Sequence, residues 1–137
     1  MIVRLDHVGF ASPSADEGTA LMKRLGLVLA ASGAADDYGV SCDFWQAGDD
    51  PQGTTVEVVA PTRPDAAITR RVAMSGSSLY HLAFEVDSLA EELSRLRRAG
   101  FLPIDRTPRC GAKDDMRVAF VLDPTTDLLI ELVHYGG

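Results

Sequence analysis

Leu5-Asp6-His7-Val8-Gly9-Phe10 returns later in the chain as Leu79-Tyr80-His81-Leu82-Ala83-Phe84, and the reading of this pair decides the fold. His7 and His81, Phe10 and Phe84, Gly26 and Gly100, and Glu57 and Glu131 are each 74 residues apart, so the two copies align without a gap. A period this long, used only twice, indicates an internal duplication with pseudo-twofold symmetry rather than a solenoid array. Two of the three histidines therefore hold the same place in two copies of one unit, and each copy ends in a carboxylate set between apolar residues.

Outward from the first copy, Ile2 to Phe10 mixes β-branched and aromatic residues and reads as a strand that Ser12-Pro13 ends. Ser14 with Glu17 three residues on is a capping box, and Gly26 supplies the left-handed residue that closes a helix. Leu27 to Ala31 reads as a short strand, Ser32 to Asp37 as a loop, and Val40 to Gln46 as a third strand. The turn-rich Gly48-Asp49-Asp50-Pro51-Gln52-Gly53 leads into a fourth strand, Thr54 to Val59, which carries Glu57. The unit is β-α-β-β-β. After a linker with a short helix over Asp65 to Met74, the programme restarts. It runs through strand Leu79 to Val86, a helix between Ser88-Glu91 and Gly100, and strands Phe101 to Asp105, Met116 to Leu122 and Leu128 to Val133, the last with Glu131. The expected organisation is one α+β domain over 1–137, with module one at 1–60, the linker at 61–78 and module two at 79–137.

Strand alternation puts Val56 and Val58 on one face and Glu57 on the other, and treats Ile130, Leu132 and Glu131 in the same way. If the apolar faces pack on the helices and the sheet curls about the pseudo-twofold axis, His7, Glu57, His81 and Glu131 converge inside a cup. A lone strand histidine is usually a hydrogen-bonded core residue, and a lone Glu between valines usually faces solvent. Four such residues repeating at one offset reverse that balance and point to a metal site. Two imidazoles and two carboxylates suit Zn, Ni, Co, Fe or Mn better than Mg or Ca. Without a cation, at least one of the two carboxylates is expected to take up a proton near neutral pH through like-charge repulsion and burial. His134 lacks a repeat partner and reads as structural. Cys42 and Cys110 read as packing or loop residues, and Arg95, Arg97 and Arg98 as a solvated helix face.

Composition narrows the class. With 46% hydrophobic residues, 137 residues can build one core, while a net charge of −7 argues against nucleic-acid or anionic-membrane partners. Two cysteines without CxxC spacing, no secretory run ahead of the first strand and no long apolar span lead to the expectation of a cytoplasmic protein with reduced thiols.

These features resemble the vicinal oxygen chelate superfamily, which includes glyoxalase I, methylmalonyl-CoA epimerase, extradiol dioxygenases and antibiotic-resistance proteins. The resemblance spans essentially the whole chain and is strongest to methylmalonyl-CoA epimerase. It is carried by Leu5-Asp6-His7-Val8-Gly9, Tyr38-Gly39-Val40, Val58-Val59-Ala60-Pro61, Leu79 to Asp87, Arg117-Val118-Ala119-Phe120 and Leu129-Ile130-Glu131-Leu132. It implies a glyoxalase-like fold in which two βαβββ modules form a cupped eight-stranded mixed sheet. It also implies a divalent metal on His7, Glu57, His81 and Glu131, and Glu131 as the catalytic acid common to the epimerase and glyoxalase patterns. Position 57 is usually Gln in the epimerases and Glu in glyoxalase I, so the ligand set resembles the latter on an epimerase-like chain. The strand acid that acts as a second base in some epimerases falls at Cys42 by direct counting, with Asp43 beside it as the candidate. Acids around Gly111-Ala112-Lys113-Asp114-Asp115 would repel the phosphates of CoA.

The expected chemistry is proton abstraction α to a metal-bound carbonyl, as an epimerase or isomerase with Glu131 as base and Glu57 and Asp43 as further candidates. The substrate class is an acyl thioester or hemithioacetal, and the expected assembly is a homodimer. The alternatives are a glyoxalase I-type lactoylglutathione lyase, then an extradiol dioxygenase, which needs only two His and one carboxylate on iron, or a metal-free drug-binding resistance protein.

Overall fold

The computed structural model describes residues 1–136. The elements follow in the order β1 (Ile2–Ala11), α1 (Ala15–Arg24), β2 (Val28–Ala35), β3 (Val40–Gln46), β4 (Thr55–Pro61), α2 (Ala67–Ser75), β5 (Ser78–Val86), α3 (Leu89–Arg98), β6 (Leu102–Pro103), β7 (Arg109–Cys110), β8 (Met116–Asp123) and β9 (Leu128–Tyr135). One mixed sheet runs β2-β3-β4-β1-β5-β9-β8-β6, with β7 attached to β8. At its centre β1 and β5 pair antiparallel, while β1–β4 and β5–β9 are parallel, so each His strand is hydrogen-bonded to its own Glu strand. This is an open, cupped sheet of the glyoxalase-like kind.

Local chemistry sets the helix ends. Ser14 Oγ accepts from Glu17 N and Ser88 Oγ accepts from Glu91 N, while Gly26 and Gly100 take the left-handed conformation that follows each helix. α1 packs Met22 against Trp45 and Val58, and α3 packs Leu89 and Leu96 against Val121, Ile130 and Leu132, all on the convex side. The concave side is covered over part of its area by α2, whose Ile68 and Val72 join Cys42, Phe44 and Val59. Unlike the other two helices, α2 has no side-chain cap at Ala66. Its start is held by this burial, and its other end is closed by Gly76 N donating to Val72 O.

Two expectations about edge segments are corrected. The stretch read as a loop from Ser32 is strand as far as Ala35, because Gly33, Ala34 and Ala35 pair with Cys42, Ser41 and Val40 ahead of a tight turn at Tyr38-Gly39. The strand expected over Phe101 to Asp105 shrinks to Leu102–Pro103, since Ile104 N and Asp105 N both turn to the single carbonyl of Phe120. The short β7 then brings the strand total to nine rather than eight.

Candidate metal centre

β-bulges set the site. In the β1–β5 ladder Leu5 opposes Phe84 and His7 opposes Ala83, which leaves Asp6 as an extra residue; His81 opposes Gly9 and Leu79 opposes Phe10, which leaves Tyr80 extra. Both bulges therefore fall on the residue before the histidine, and a bulge re-aims side chains that strict alternation would send to opposite faces. His7 and His81 face the concave side, where Gly9 leaves room for the second ring: a Cβ at Gly9 would lie 2.2 Å from the His81 imidazole. Glu57 sits on β4 opposite Gly9 and Phe44, and Glu131 on β9 opposite Ala83 and Phe120.

The four side chains meet. His7 Nε2 is 2.8 Å from Glu131 Oε1 and 3.3 Å from Glu57 Oε1, while His81 Nε2 is 3.3 Å from Glu57 Oε1 and 3.4 Å from Glu131 Oε1. The two Nε2 atoms are 3.3 Å apart, and one ligand atom from each residue fits within 4.8 Å. All four residues are buried. Donors about 2.0–2.2 Å from a first-row ion stand about 3.0–3.5 Å from their neighbours, so this spacing and this N/O set fit a divalent transition ion. His81 Nδ1 is buried without a hydrogen-bond partner, which is costly for a polar atom. The cluster can thus hold a metal, and it forms within one chain.

Around His7 the cluster is braced. His7 Nδ1 lies 2.6 Å from Asp6 Oδ2, and Asp6 also accepts from Tyr135 Oη at 3.0 Å and from Arg4 Nη2 at 3.0 Å. Burial favours the neutral acid at Asp6, yet the bond with His7, with Tyr135 and Arg4, holds its carboxyl below the usual range. Asp6 is therefore an acceptor, His7 donates Nδ1–H, and Nε2 is turned to the cluster. His81 packs edge-on to Tyr80 and Phe120 with nothing on Nδ1.

The expected proton on a carboxylate is corrected here. Burial opposes charge on every member, but Glu57 and Glu131 drive the His7 pKa well above its ordinary value and raise that of His81, while the two imidazoles lower both carboxyls. Without metal the arrangement favours protons on nitrogen over carboxylate, because each imidazole lies within 3.4 Å of both carboxylates.

Glu57, His81 and Glu131 line a small cavity of about 50 Å³ together with Tyr38, Cys42, Tyr80 and Phe120. Cys42 faces it, and burial followed by the Glu57 charge pushes the thiol pKa up strongly. Asp43, one of the candidate bases, does not reach it. Asp43 pairs with Val58 on the face that meets α1, one residue out of phase with Cys42. His134 Nδ1 pairs with Val86 O, away from the cluster. Sequence reasoning missed Asp6 and Tyr135. The one signal available was the mismatch of Asp6 with Tyr80 inside an otherwise matching repeat.

Comparison with known proteins agrees with this fold. Streptomyces coelicolor methylmalonyl-CoA epimerase, solved with 2-nitronate-propionyl-CoA, superposes with a TM-score of 0.86 at 23% identity over the full length of both chains. The Mycobacterium tuberculosis methylmalonyl-CoA epimerase superposes at 0.85 with 26% identity, covering 99% of this chain and 90% of that one. In sequence, Bacillus subtilis YqjC, an uncharacterised protein, is 30% identical over 136 residues, 98% of this chain and 94% of its own. Residues 6–120 match the glyoxalase/bleomycin resistance protein/dioxygenase superfamily, a stretch that holds both histidines and most of both modules. A match of that extent decides membership, and the chain belongs to the glyoxalase/bleomycin resistance protein/dioxygenase superfamily.

Proposed function

We propose that the chain is a divalent-metal-dependent epimerase or isomerase that moves a proton α to a carbonyl, on a small acyl thioester in the manner of methylmalonyl-CoA epimerase. One observation carries this reading: two imidazoles and two carboxylates converge, buried, beside a small cavity with apolar walls. His7, Glu57, His81 and Glu131 would hold the ion, with Co, Ni, Zn, Mn and Fe all compatible with the donor set. The ion supplies a fixed positive charge that stabilises negative charge developing on a substrate carbonyl oxygen.

The chain's own residues do the rest. Glu131 removes and returns the α-proton, and Glu57 mainly anchors the ion. Phe120, Tyr80 and Met116 exclude water, which strengthens every charge interaction in the cavity. A water needs about 10–15 Å³ of such space, so the cavity takes about four heavy atoms of an acyl group and leaves its carrier outside. The neighbour solved with methylmalonyl-CoA and ammonium supports a thioester.

A second reading rests on Glu57. With Asp43 turned away, Glu57 and Glu131 are the acids at the cavity among the described residues, so both can exchange protons with the two faces of a substrate. That suits a lactoylglutathione-lyase reaction on a hemithioacetal. The test is elemental analysis of the purified protein, followed by a screen of thioesters and hemithioacetals for exchange of the α-proton with solvent deuterium. Stoichiometric metal with exchange on thioesters supports the first reading and exchange on hemithioacetals the second. A protein without metal and without exchange overturns both.

A further inference from the structure

The two halves present the same bulge to the cluster but fill it differently. At Asp6 the bulged residue is a buried carboxylate that takes a hydrogen bond from His7 Nδ1 at 2.6 Å and is itself held by Tyr135 Oη and Arg4 Nη2, each at 3.0 Å. Arg4 is fixed in turn by Glu85 Oε2 at 2.6 Å. The chain of contacts crosses between modules, since Asp6 and Arg4 lie on β1, Glu85 on β5 and Tyr135 at the end of β9. At Tyr80 the bulged residue gives His81 only a ring edge, with centroids 5.1 Å apart. A carboxylate on the far nitrogen of a ligating imidazole sets its tautomer and ring plane and raises its basicity.

We propose that Asp6, held by Tyr135 and Arg4, is a positioning residue that makes His7 the fixed ligand of the metal centre and leaves His81 the adjustable one. This rests on the metal reading above. Asp6 touches no substrate on this account and acts only through the His7 ring. The asymmetry comes from one bulge position in the repeat, filled by Asp6 in the first module and by Tyr80 in the second.

The test uses cobalt(II) and zinc(II) on the full chain. Cobalt affinity is measured by competition with a chromophoric chelator, the visible cobalt spectrum reports ligand geometry, and proton NMR of the zinc-loaded protein reports the imidazole N–H signals. Wild type is expected to bind one ion and to show one slowly exchanging imidazole N–H. Asp6→Asn is expected to weaken cobalt binding about 10- to 100-fold, shift the cobalt spectrum and lose that N–H signal. Tyr135→Phe keeps the carboxylate and is expected to move all three readouts less, in the same direction, which keeps the test open if Asp6→Asn does not fold. Arg97→Ala, on the exposed face of α3, is expected to leave them unchanged. Folded Asp6→Asn and Tyr135→Phe proteins with wild-type cobalt affinity and spectrum would overturn the role of Asp6 while the metal reading stands. A wild-type protein that binds neither ion would overturn the metal reading itself.

Discussion

His7 and His81 occupy equivalent places, yet their surroundings are unequal. On one side a carboxylate, a phenol and a guanidinium converge behind the ring; on the other the ring leans on Tyr80 and Phe120 with a bare Nδ1. The difference extends to the strand opposite. His81 needs Gly9 beneath it, while His7 lies across from Ala83. The repeat supplies two identical His–Glu pairs, and different neighbours give each pair its own support. A symmetric set of side chains can in this way sit in an asymmetric site.

The largest expected effect separates the two carboxylates. Glu131→Gln should retain metal through its amide oxygen and lose about a hundredfold to ten-thousandfold in α-proton exchange. Glu57→Gln should retain much of that activity if Glu57 mainly anchors the ion, and equal losses in the two variants would restore symmetry of function. Exchange is read by NMR in deuterium oxide. Full activity in metal-loaded Glu131→Gln would remove Glu131 from its role.

Next, the histidines should fail unequally. His7→Ala and His81→Ala should both fall below one metal per chain after dialysis, with His7→Ala the lower. Stoichiometric metal in both variants would show that the ion binds elsewhere.

Proton linkage gives a third contrast, between the free and loaded protein. The folded pKa values of His7 and His81 lie above the ordinary 6.5, so their stabilisation is full below about pH 6.5 and is lost as pH rises through the folded values. Glu57 and Glu131 lie below the ordinary 4.5, so theirs is present above about pH 4.5 and is lost as pH falls through the folded values. The metal-free protein should therefore melt highest at about pH 4.5–6.5 and lower towards pH 9. Metal binding displaces the same protons, so the rise in Tm on loading should grow with pH. A metal-free Tm that climbs from pH 6.5 to 9 would show that the imidazoles are neutral in the fold.

The smallest effect tests the room beneath His81. Gly9→Ala should cost about 1–3 kcal/mol through overpacking against the ring, measured by denaturant melts, because the added carbon would meet it at 2.2 Å. Ala83→Gly should cost less, since it removes one buried methyl and no contact needs to shift. Equal costs would mean that the two rings are equally supported.

Much of this was legible in residue order. The 74-residue offset, the Ser14 and Ser88 caps and the closing glycines Gly26 and Gly100 are local or periodic signals, and they determined the βαβββ repeat. The same offset singled out His7, Glu57, His81 and Glu131, because a residue type that recurs at the same strand position is visible without coordinates. What stayed hidden depends on register. Strand alternation sends Asp6 away from His7, and only the bulge in the β1–β5 ladder turns it back. The choice between Cys42 and Asp43 hangs on a one-residue phase that β3 takes from its pairing with β4. Tyr135 reaches Asp6 across 129 positions of chain, and α2 gains its place inside the cup from burial of Ile68 and Val72, since its N-terminal end carries no side-chain cap. Periodicity and caps act over a few residues and can be read along the chain. Bulges, strand phase and long-range contacts arise from how distant strands meet, so they were decided only when the sheet closed.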